Sequence, residues 1–169
     1  MKKILLFSLL FFIGINFCDA SISTGHSYVL MDQTTGRVLD GKNYNTTYLI
    51  ASITKIMTCL LAIESDKLDE TVVVDDIINE SYGSGIYIKV GEELTLKDLL
   101  YGLMLRSGND AAITLAISVS KSVDSFVNLM NKKANELGLK GTYFNNPHGL
   151  DEQDDGNIST AYDMAVLYS

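Results

Sequence analysis

The chain has 169 residues, of which 47% are hydrophobic and 20% are charged. This length and composition allow one domain with a substantial core and argue against bulk disorder. The net charge of −8, without a basic cluster in the body of the chain, argues against nucleic acid and anionic lipid as partners. His26 and His148 are the only histidines and are far apart, and no paired cysteines occur, so no metal site is expected. No glycine-rich nucleotide-binding motif is present, and we expect no cofactor.

The N-terminus has the character of a secretory signal peptide. Lys2 and Lys3 precede a mostly apolar stretch at residues 4–17, and Cys18-Asp19-Ala20 offers small residues for cleavage. The apolar stretch is short for a membrane-spanning helix. We therefore expect residues 1–20 to be a signal peptide, the protein to be exported to the cell envelope or secreted, and this chain to carry no membrane anchor.

The rest of the chain alternates between short strand patterns and longer helix patterns. Residues 26–32 and 37–39 are predicted to be strands joined by a turn at 33–36, followed by a loop at 43–48. Residues 51–64 carry apolar side chains at helical spacing and predict a helix. The further predicted elements are strands at 72–74 and 86–90, helices at 95–105, 111–119 and 122–137, a loop at 145–157, and a last helix capped by Ser159.

Local capping patterns support two of these helices. Thr95 with Asp98 resembles a capping box, and Ser122 is placed to cap the helix that Gly138 ends. Cys59 lies among apolar residues of a predicted helix, where it is expected to be a buried hydrophobic side chain rather than a reactive thiol.

These elements together predict an α+β fold, with a helical subdomain and part of an antiparallel sheet. Two strands are too few for a stable sheet against several helices. We therefore expect further strands to follow Ser169, so that residues 21–169 form the N-terminal part of a longer domain.

Ser52 and Lys55 are the strongest candidates for a catalytic pair. Residues i and i+3 share one face of a helix, so the Ser52 hydroxyl and the Lys55 amine can point into the same cleft. A serine needs a base to become a nucleophile, and a lysine kept neutral by burial can be that base. Ser52 also falls in the first helical turn, where free backbone N–H groups favour a developing oxyanion. The pattern alone is weak, because Ser118 and Lys121 repeat it near a helix end, where we interpret it as solvated surface.

A second polar motif, Ser107-Gly108-Asn109, is the only Ser-x-Asn in the chain and lies at a break between two predicted helices. Short polar side chains at such a break can project into a cleft, although a simple helix cap would also explain them. No serine lies in a Gly-x-Ser-x-Gly elbow. His148, between Pro147 and Gly149, is therefore interpreted as a residue that orders its loop rather than as a catalytic base.

Four segments carry a resemblance to a known family. The chain resembles the penicillin-binding, serine-type D-alanyl-D-alanine carboxypeptidases at residues 51–58, 91–112, 146–150 and 159–165. The segment 51–58 reads Ala-Ser-Ile-Thr-Lys-Ile-Met-Thr and is similar to the family's nucleophile helix. The resemblance covers nearly all of residues 27–169 and implies a fold like that of β-lactamases and penicillin-binding transpeptidases.

The resemblance also implies roles for the candidate residues. Ser52 would attack the D-Ala-D-Ala bond of a peptidoglycan stem peptide, with Lys55 as its general base and its own N–H as half of the oxyanion hole. Ser107 would relay a proton to the leaving D-alanine, and Asn109 would bind the substrate's amide. β-Lactam antibiotics would acylate the same serine, and no metal or cofactor would be needed.

Two departures from the family pattern leave alternatives open. Ile50 stands where the family usually has proline, and the Lys-Thr-Gly strand motif is absent, since Lys140-Gly141-Thr142 has those letters in the wrong order. A catalytically incompetent truncated fragment, or a non-catalytic cell-wall-binding remnant, is therefore an alternative. A class A β-lactamase is a further one, although it would typically show Ser-Asp-Asn in place of residues 107–109.

Overall fold

The computed structural model describes residues 24–151 and 156–169. The predicted signal peptide and part of the predicted loop at 145–157 lie outside these described residues. The strands within them are β1 (Tyr28–Met31), β2 (Val38–Lys42), β3 (Tyr48–Leu49), β4 (Thr71–Val73), β5 (Glu93–Thr95) and β6 (Ile158–Ser159). The α-helices are α1 (Lys55–Glu64), α2 (Leu96–Arg106), α3 (Asn109–Ser120), α4 (Val123–Glu136) and α5 (Ala161–Leu167), and 3-10 helices occupy Ala51–Thr54 and Asp76–Glu80.

The strands of the described residues form three antiparallel pairs: β1 with β2, β3 with β6, and β4 with β5. The hairpin of β1 and β2 confirms the prediction of two strands around a turn, in which Gly36 has a φ of 68°. The pair of β3 and β6 was not predicted. Each of these strands has two residues, and their partners lie more than a hundred positions apart, so no local pattern marks them.

The predicted strand at residues 86–90 is wrong. The backbone N–H groups of Ile86, Tyr87 and Ile88 donate to the side chain of Asp110 instead of to a neighbouring strand. The strand that pairs with β4 is β5, a few residues later. An apolar run with strand composition therefore has no strand geometry, because a carboxylate takes the hydrogen bonds that a sheet would need.

The longer helices confirm their predictions, with informative differences at their ends. The Thr95 hydroxyl accepts from the N–H of Asp98 at 3.1 Å, and Ser122 caps α4 in the same way. The last helix is capped by Thr160 rather than by Ser159, because Ser159 belongs to β6. The predicted helix at 51–64 begins as a 3-10 helix and becomes an α-helix only at Lys55.

Two apolar clusters form the core of the described residues, and α1 and α3 contribute to both. The first cluster contains Ile50, Met57, Leu61, Ala116, Phe126, Met130, Ala134, Leu139 and Phe144. The second contains Ala62, Leu96, Leu99, Leu100, Leu103, Ala111, Ala112 and Leu115. Cys59 is half-buried against the second cluster, where burial raises the pKa of its thiol and keeps it unreactive, as expected. The helices between residues 24 and 169 include none with the length and apolar character required to cross a membrane.

Candidate active site

Ser52 and Lys55 meet at the start of the first long helix. The side chain of Ser52 is exposed, whereas Lys55 is 3% exposed. The Lys55 Nζ donates to the Ser52 Oγ at 3.3 Å. Side chains at i and i+3 of a 3-10 helix nearly eclipse each other, so the tight turn at Ala51–Thr54 brings this pair together. The result is an accessible hydroxyl above a buried amine.

The environment of Lys55 changes its acidity. Burial lowers the pKa of the Lys55 amine from its usual value of 10.5 to about 8, because desolvation disfavours the charged form. Within the described residues, no carboxylate is within ion-pair distance of Lys55. A substantial fraction of the amine is therefore neutral slightly above neutral pH and can accept the proton of Ser52.

A loop late in the chain covers this lysine. The carbonyl oxygen of His148 accepts from the Lys55 Nζ at 2.6 Å, and the carbonyl oxygen of Pro147 accepts from the Thr58 hydroxyl at 2.6 Å. Gly149 has a φ of 86°, and a Cβ there would collide with the backbone carbonyl of Ala51. Only glycine allows this approach, so residues 147–149 pack directly on the turn that carries Ser52.

Asn157 fixes the covering loop from below. Its Oδ1 accepts from the N–H groups of Asn145 and Asn146 at 2.6 and 3.1 Å. Its Nδ2 donates to the Thr54 Oγ1 and to the Asn146 carbonyl oxygen, both at 2.8 Å. The side chain is 1% exposed, so these hydrogen bonds are shielded from water. One amide thus connects the loop to the residue that follows Ile53 in the nucleophile turn.

We expect Asn157→Ala to lower the free energy of unfolding by about 2–4 kcal/mol, because two buried N–H groups and two further partners lose their hydrogen bonds. Urea denaturation measures the change. Asn128→Ala is the matched control, since Asn128 is exposed on α4 and should leave the midpoint nearly unchanged. Equal midpoints for the two variants would show that Asn157 does not fix the loop.

Ser107 and Asn109 lie at the junction of α2 and α3. Ser107 ends α2 in a left-handed conformation with a φ of 56°, and its Oγ is buried without a hydrogen-bond partner. An unpaired buried hydroxyl is costly and is typical of a group that awaits a ligand. Asn109 is 3% exposed and donates from its Nδ2 to the carbonyl oxygen of Tyr82 at 2.6 Å. An open cleft of about 420 Å³ borders Ser107.

The junction and the lysine lie on connected loops. A Cβ on Gly83 would lie 3.1 Å from the Asn109 Nδ2 and 3.7 Å from the Leu150 Cδ2, so Gly83 separates these two side chains. Leu150 is two residues from His148, whose carbonyl oxygen binds Lys55. In the described part of the chain, the two motifs share no direct hydrogen bond, and their connection runs through these loops.

Other candidates have different positions. The Ser118 hydroxyl donates to the Thr114 carbonyl oxygen inside α3 at 2.7 Å, and Lys121 is an exposed helix end. The Nδ1 of His148 accepts from the N–H of Leu150 at 3.1 Å, so His148 orders its loop as predicted. Residues 24–151 and 156–169 contain no group of three or more histidine, cysteine or acidic side chains arranged to hold a metal ion.

Comparison with known proteins identifies the family. The family described as D-alanyl-D-alanine carboxypeptidase matches residues 18–169. The chain belongs to this family. A curated relative, the D-alanyl-D-alanine carboxypeptidase DacF of Bacillus subtilis, is 45% identical over 146 residues, which are 83% of this chain and 37% of DacF. The chain therefore spans little more than a third of the length of that carboxypeptidase.

Solved structures confirm the predicted fold class. The crystal structure of a D-alanyl-D-alanine carboxypeptidase from Mycobacterium tuberculosis H37Rv matches with a TM-score of 0.80 and 35% identity, covering 85% of this chain and 54% of that one. Penicillin binding protein 6B from Escherichia coli matches with a TM-score of 0.78 and 37% identity, covering 84% and 48%. The described elements are thus part of the penicillin-binding, β-lactamase-like α+β fold of this carboxypeptidase family.

Proposed function

We propose that the protein is a serine D-alanyl-D-alanine carboxypeptidase that acts on peptidoglycan stem peptides through an acyl-enzyme. The observation that carries the proposal is the accessible Ser52 hydroxyl, 3.3 Å from the buried Lys55 amine. Nucleophilic catalysis by serine requires this pairing of a reachable hydroxyl with a nearby base. Membership in the carboxypeptidase family supports the choice of substrate.

In the first step, the neutral Lys55 amine takes the proton from the Ser52 hydroxyl as its oxygen attacks the carbonyl carbon between the two D-alanines. A tetrahedral oxyanion forms, and the backbone N–H of Ser52 provides one of the donors that stabilise it. The C–N bond then breaks, and the terminal D-alanine leaves after its nitrogen has gained a proton. The remaining peptide is bound to Ser52 as an ester.

Ser107 and Asn109 complete this assignment. Ser107 passes the proton to the leaving nitrogen, a role that suits a buried hydroxyl without another partner. Asn109 binds the substrate's backbone amide, and its short bond to Tyr82 keeps the side chain in place. Water, deprotonated with the help of Lys55, finally hydrolyses the ester and regenerates the Ser52 hydroxyl.

The same site accounts for a second class of ligand. A β-lactam offers a strained amide carbonyl to Ser52 and leaves an ester that lacks a departing fragment. Penicillin binding is part of the name of one of the similar structures. We further propose that residues 1–20 direct export, so that the enzyme works at the cell wall outside the cytoplasm.

The proposal is tested with the protein expressed from its complete gene. An acylated L-lysyl-D-alanyl-D-alanine peptide is incubated with the enzyme, and released D-alanine is quantified. We expect release from this peptide and none from the matched peptide that ends in L-alanine. Rapid, repeated turnover of a chromogenic cephalosporin without D-alanine release would instead identify a β-lactamase. No release and no acylation by either reagent would support a non-catalytic protein.

A further inference from the structure

A buried carboxylate holds the loop next to the second motif. Asp110, the second residue of α3, is 5% exposed. Its oxygens accept from the N–H of Ile86 at 3.1 Å, of Tyr87 at 2.7 Å and of Ile88 at 3.3 Å. Its Oδ1 also accepts from the N–H of Ala111 at 2.8 Å. Three consecutive backbone donors that converge on one carboxylate form an anion-binding nest, here occupied by the protein's own side chain.

The conformation of this loop, defined as residues 84–88, is one that the carboxylate enforces. Tyr87 has a φ of 62°, which is rare for a bulky residue and costs free energy. A Cβ on Gly85 would lie 3.2 Å from the Asp110 Oδ2, so the loop backbone approaches the carboxylate closely. The N–H of Asn109 adds a bond to the Ser84 carbonyl oxygen at 2.8 Å. The loop is therefore fastened to the first turn of α3.

The enforced conformation presents a large side chain to solvent. Tyr87 is 78% exposed, so packing does not explain why its backbone is held in a strained region. Together with Ser84 and Gly85, Tyr87 lines the cleft of about 420 Å³, whose opposite wall includes Arg106 and Ser107. An aromatic ring fixed at the rim of a cleft that contains the proposed proton relay is well placed to contact a ligand.

We propose that Asp110 is a positioning residue of this enzyme, which fixes the 84–88 loop so that Tyr87 contacts the bound peptide in the cleft beside Ser107. This inference rests on the proposed carboxypeptidase function. Asp110 itself does not touch the substrate. Its contribution is a preformed wall of the binding cleft, which spares the substrate the cost of ordering the loop.

The test uses the protein expressed from its complete gene and three variants: Tyr87→Ala, Tyr87→Phe and Asp110→Asn. Values of kcat and KM for the D-Ala-D-Ala peptide are measured together with the melting temperature. We expect Tyr87→Ala to raise KM about tenfold, the effect of losing one aromatic contact, with little change in kcat or melting temperature. Tyr87→Phe keeps the ring and should retain the wild-type KM. Asp110→Asn places an amide NH₂ against backbone donors and should raise KM similarly.

Asp163→Asn is the matched control for Asp110→Asn. Asp163 is 4% exposed and accepts from the N–H of Gly141 and the hydroxyl of Thr142, both at 2.7 Å. This variant should lower the melting temperature without raising KM. An unchanged KM in Tyr87→Ala, or an equal rise in KM in Asp163→Asn and Asp110→Asn, would overturn the inference. If Asp110→Asn does not fold, the two Tyr87 variants decide. An inactive wild-type protein would overturn the proposed function and this inference together, whereas an active one with unchanged Tyr87→Ala overturns this inference alone.

Discussion

Replacing Ser52 with alanine is expected to abolish peptide cleavage and covalent binding of penicillin while leaving the fold intact. The Ser52 side chain is exposed, and its only recorded side-chain bond is the one it accepts from Lys55, so little stability depends on it. Removal of a nucleophilic serine lowers kcat by roughly 10⁶-fold in a well-studied serine peptidase, and we expect a loss of that order. D-Alanine release and uptake of fluorescent penicillin measure the two effects.

The second serine-lysine pattern supplies the matched control for this variant. Ser118→Ala removes a hydroxyl that donates only to its own helix, so its activity should equal that of the wild type. A Ser52→Ala protein that is folded, as judged by circular dichroism, but still takes up penicillin would exclude Ser52 as the nucleophile. The contrast between the two alanine variants separates the catalytic serine from its sequence look-alike.

Replacing Lys55 with arginine is expected to lower the rate of acylation by about 10²–10⁴-fold, the usual contribution of a general base. Arginine keeps the positive charge and much of the length but does not lose its proton near neutral pH. Lys55→Met provides the uncharged comparison and should be as slow. Stopped-flow acylation by a fluorescent penicillin gives the rate, and near wild-type acylation by Lys55→Arg would mean that Lys55 acts through its charge alone.

The same lysine predicts the direction of the pH dependence. Burial lowers the pKa of Lys55 to about 8, and only the neutral amine accepts a proton. The acylation rate of the wild type should therefore rise with pH, by up to about tenfold per unit below pH 8, and level off above it. A rate that is flat between pH 6 and 9, or that falls as the pH rises, would contradict the assignment of Lys55 as the base.

Local patterns predicted the helices and the spacing of the catalytic pair. The apolar periodicity of residues 96–105 and the caps at Thr95 and Ser122 are read from adjacent positions, and the structure confirms them. The strand predicted at 86–90 failed because its backbone donors are used by Asp110, more than twenty positions later. Hydrogen bonds to a distant side chain leave no trace in the periodicity of the segment itself.

The surroundings of the site depend on tertiary packing and could not be read from spacing. The i and i+3 relation of Ser52 to Lys55 predicted their proximity, but not that the His148 carbonyl would bind the amine. The segment 146–150 was singled out only through its resemblance to the family. Asn157 carried no pattern at all, although its side chain connects that segment to Thr54. These contacts join positions about a hundred residues apart.

The most direct test of Ser52 as the nucleophile is mass-spectrometric mapping of a penicillin adduct. The protein expressed from its complete gene is reacted with penicillin, quenched and digested with trypsin. Cleavage after Lys42 and Lys55 isolates residues 43–55 with Ser52, whereas Ser107 and Ser118 fall together in the peptide after Arg106. We predict one penicilloyl group on the 43–55 peptide, located on Ser52 by fragmentation. An adduct confined to the peptide that holds Ser107 and Ser118, or no adduct at all on folded protein, would contradict the account.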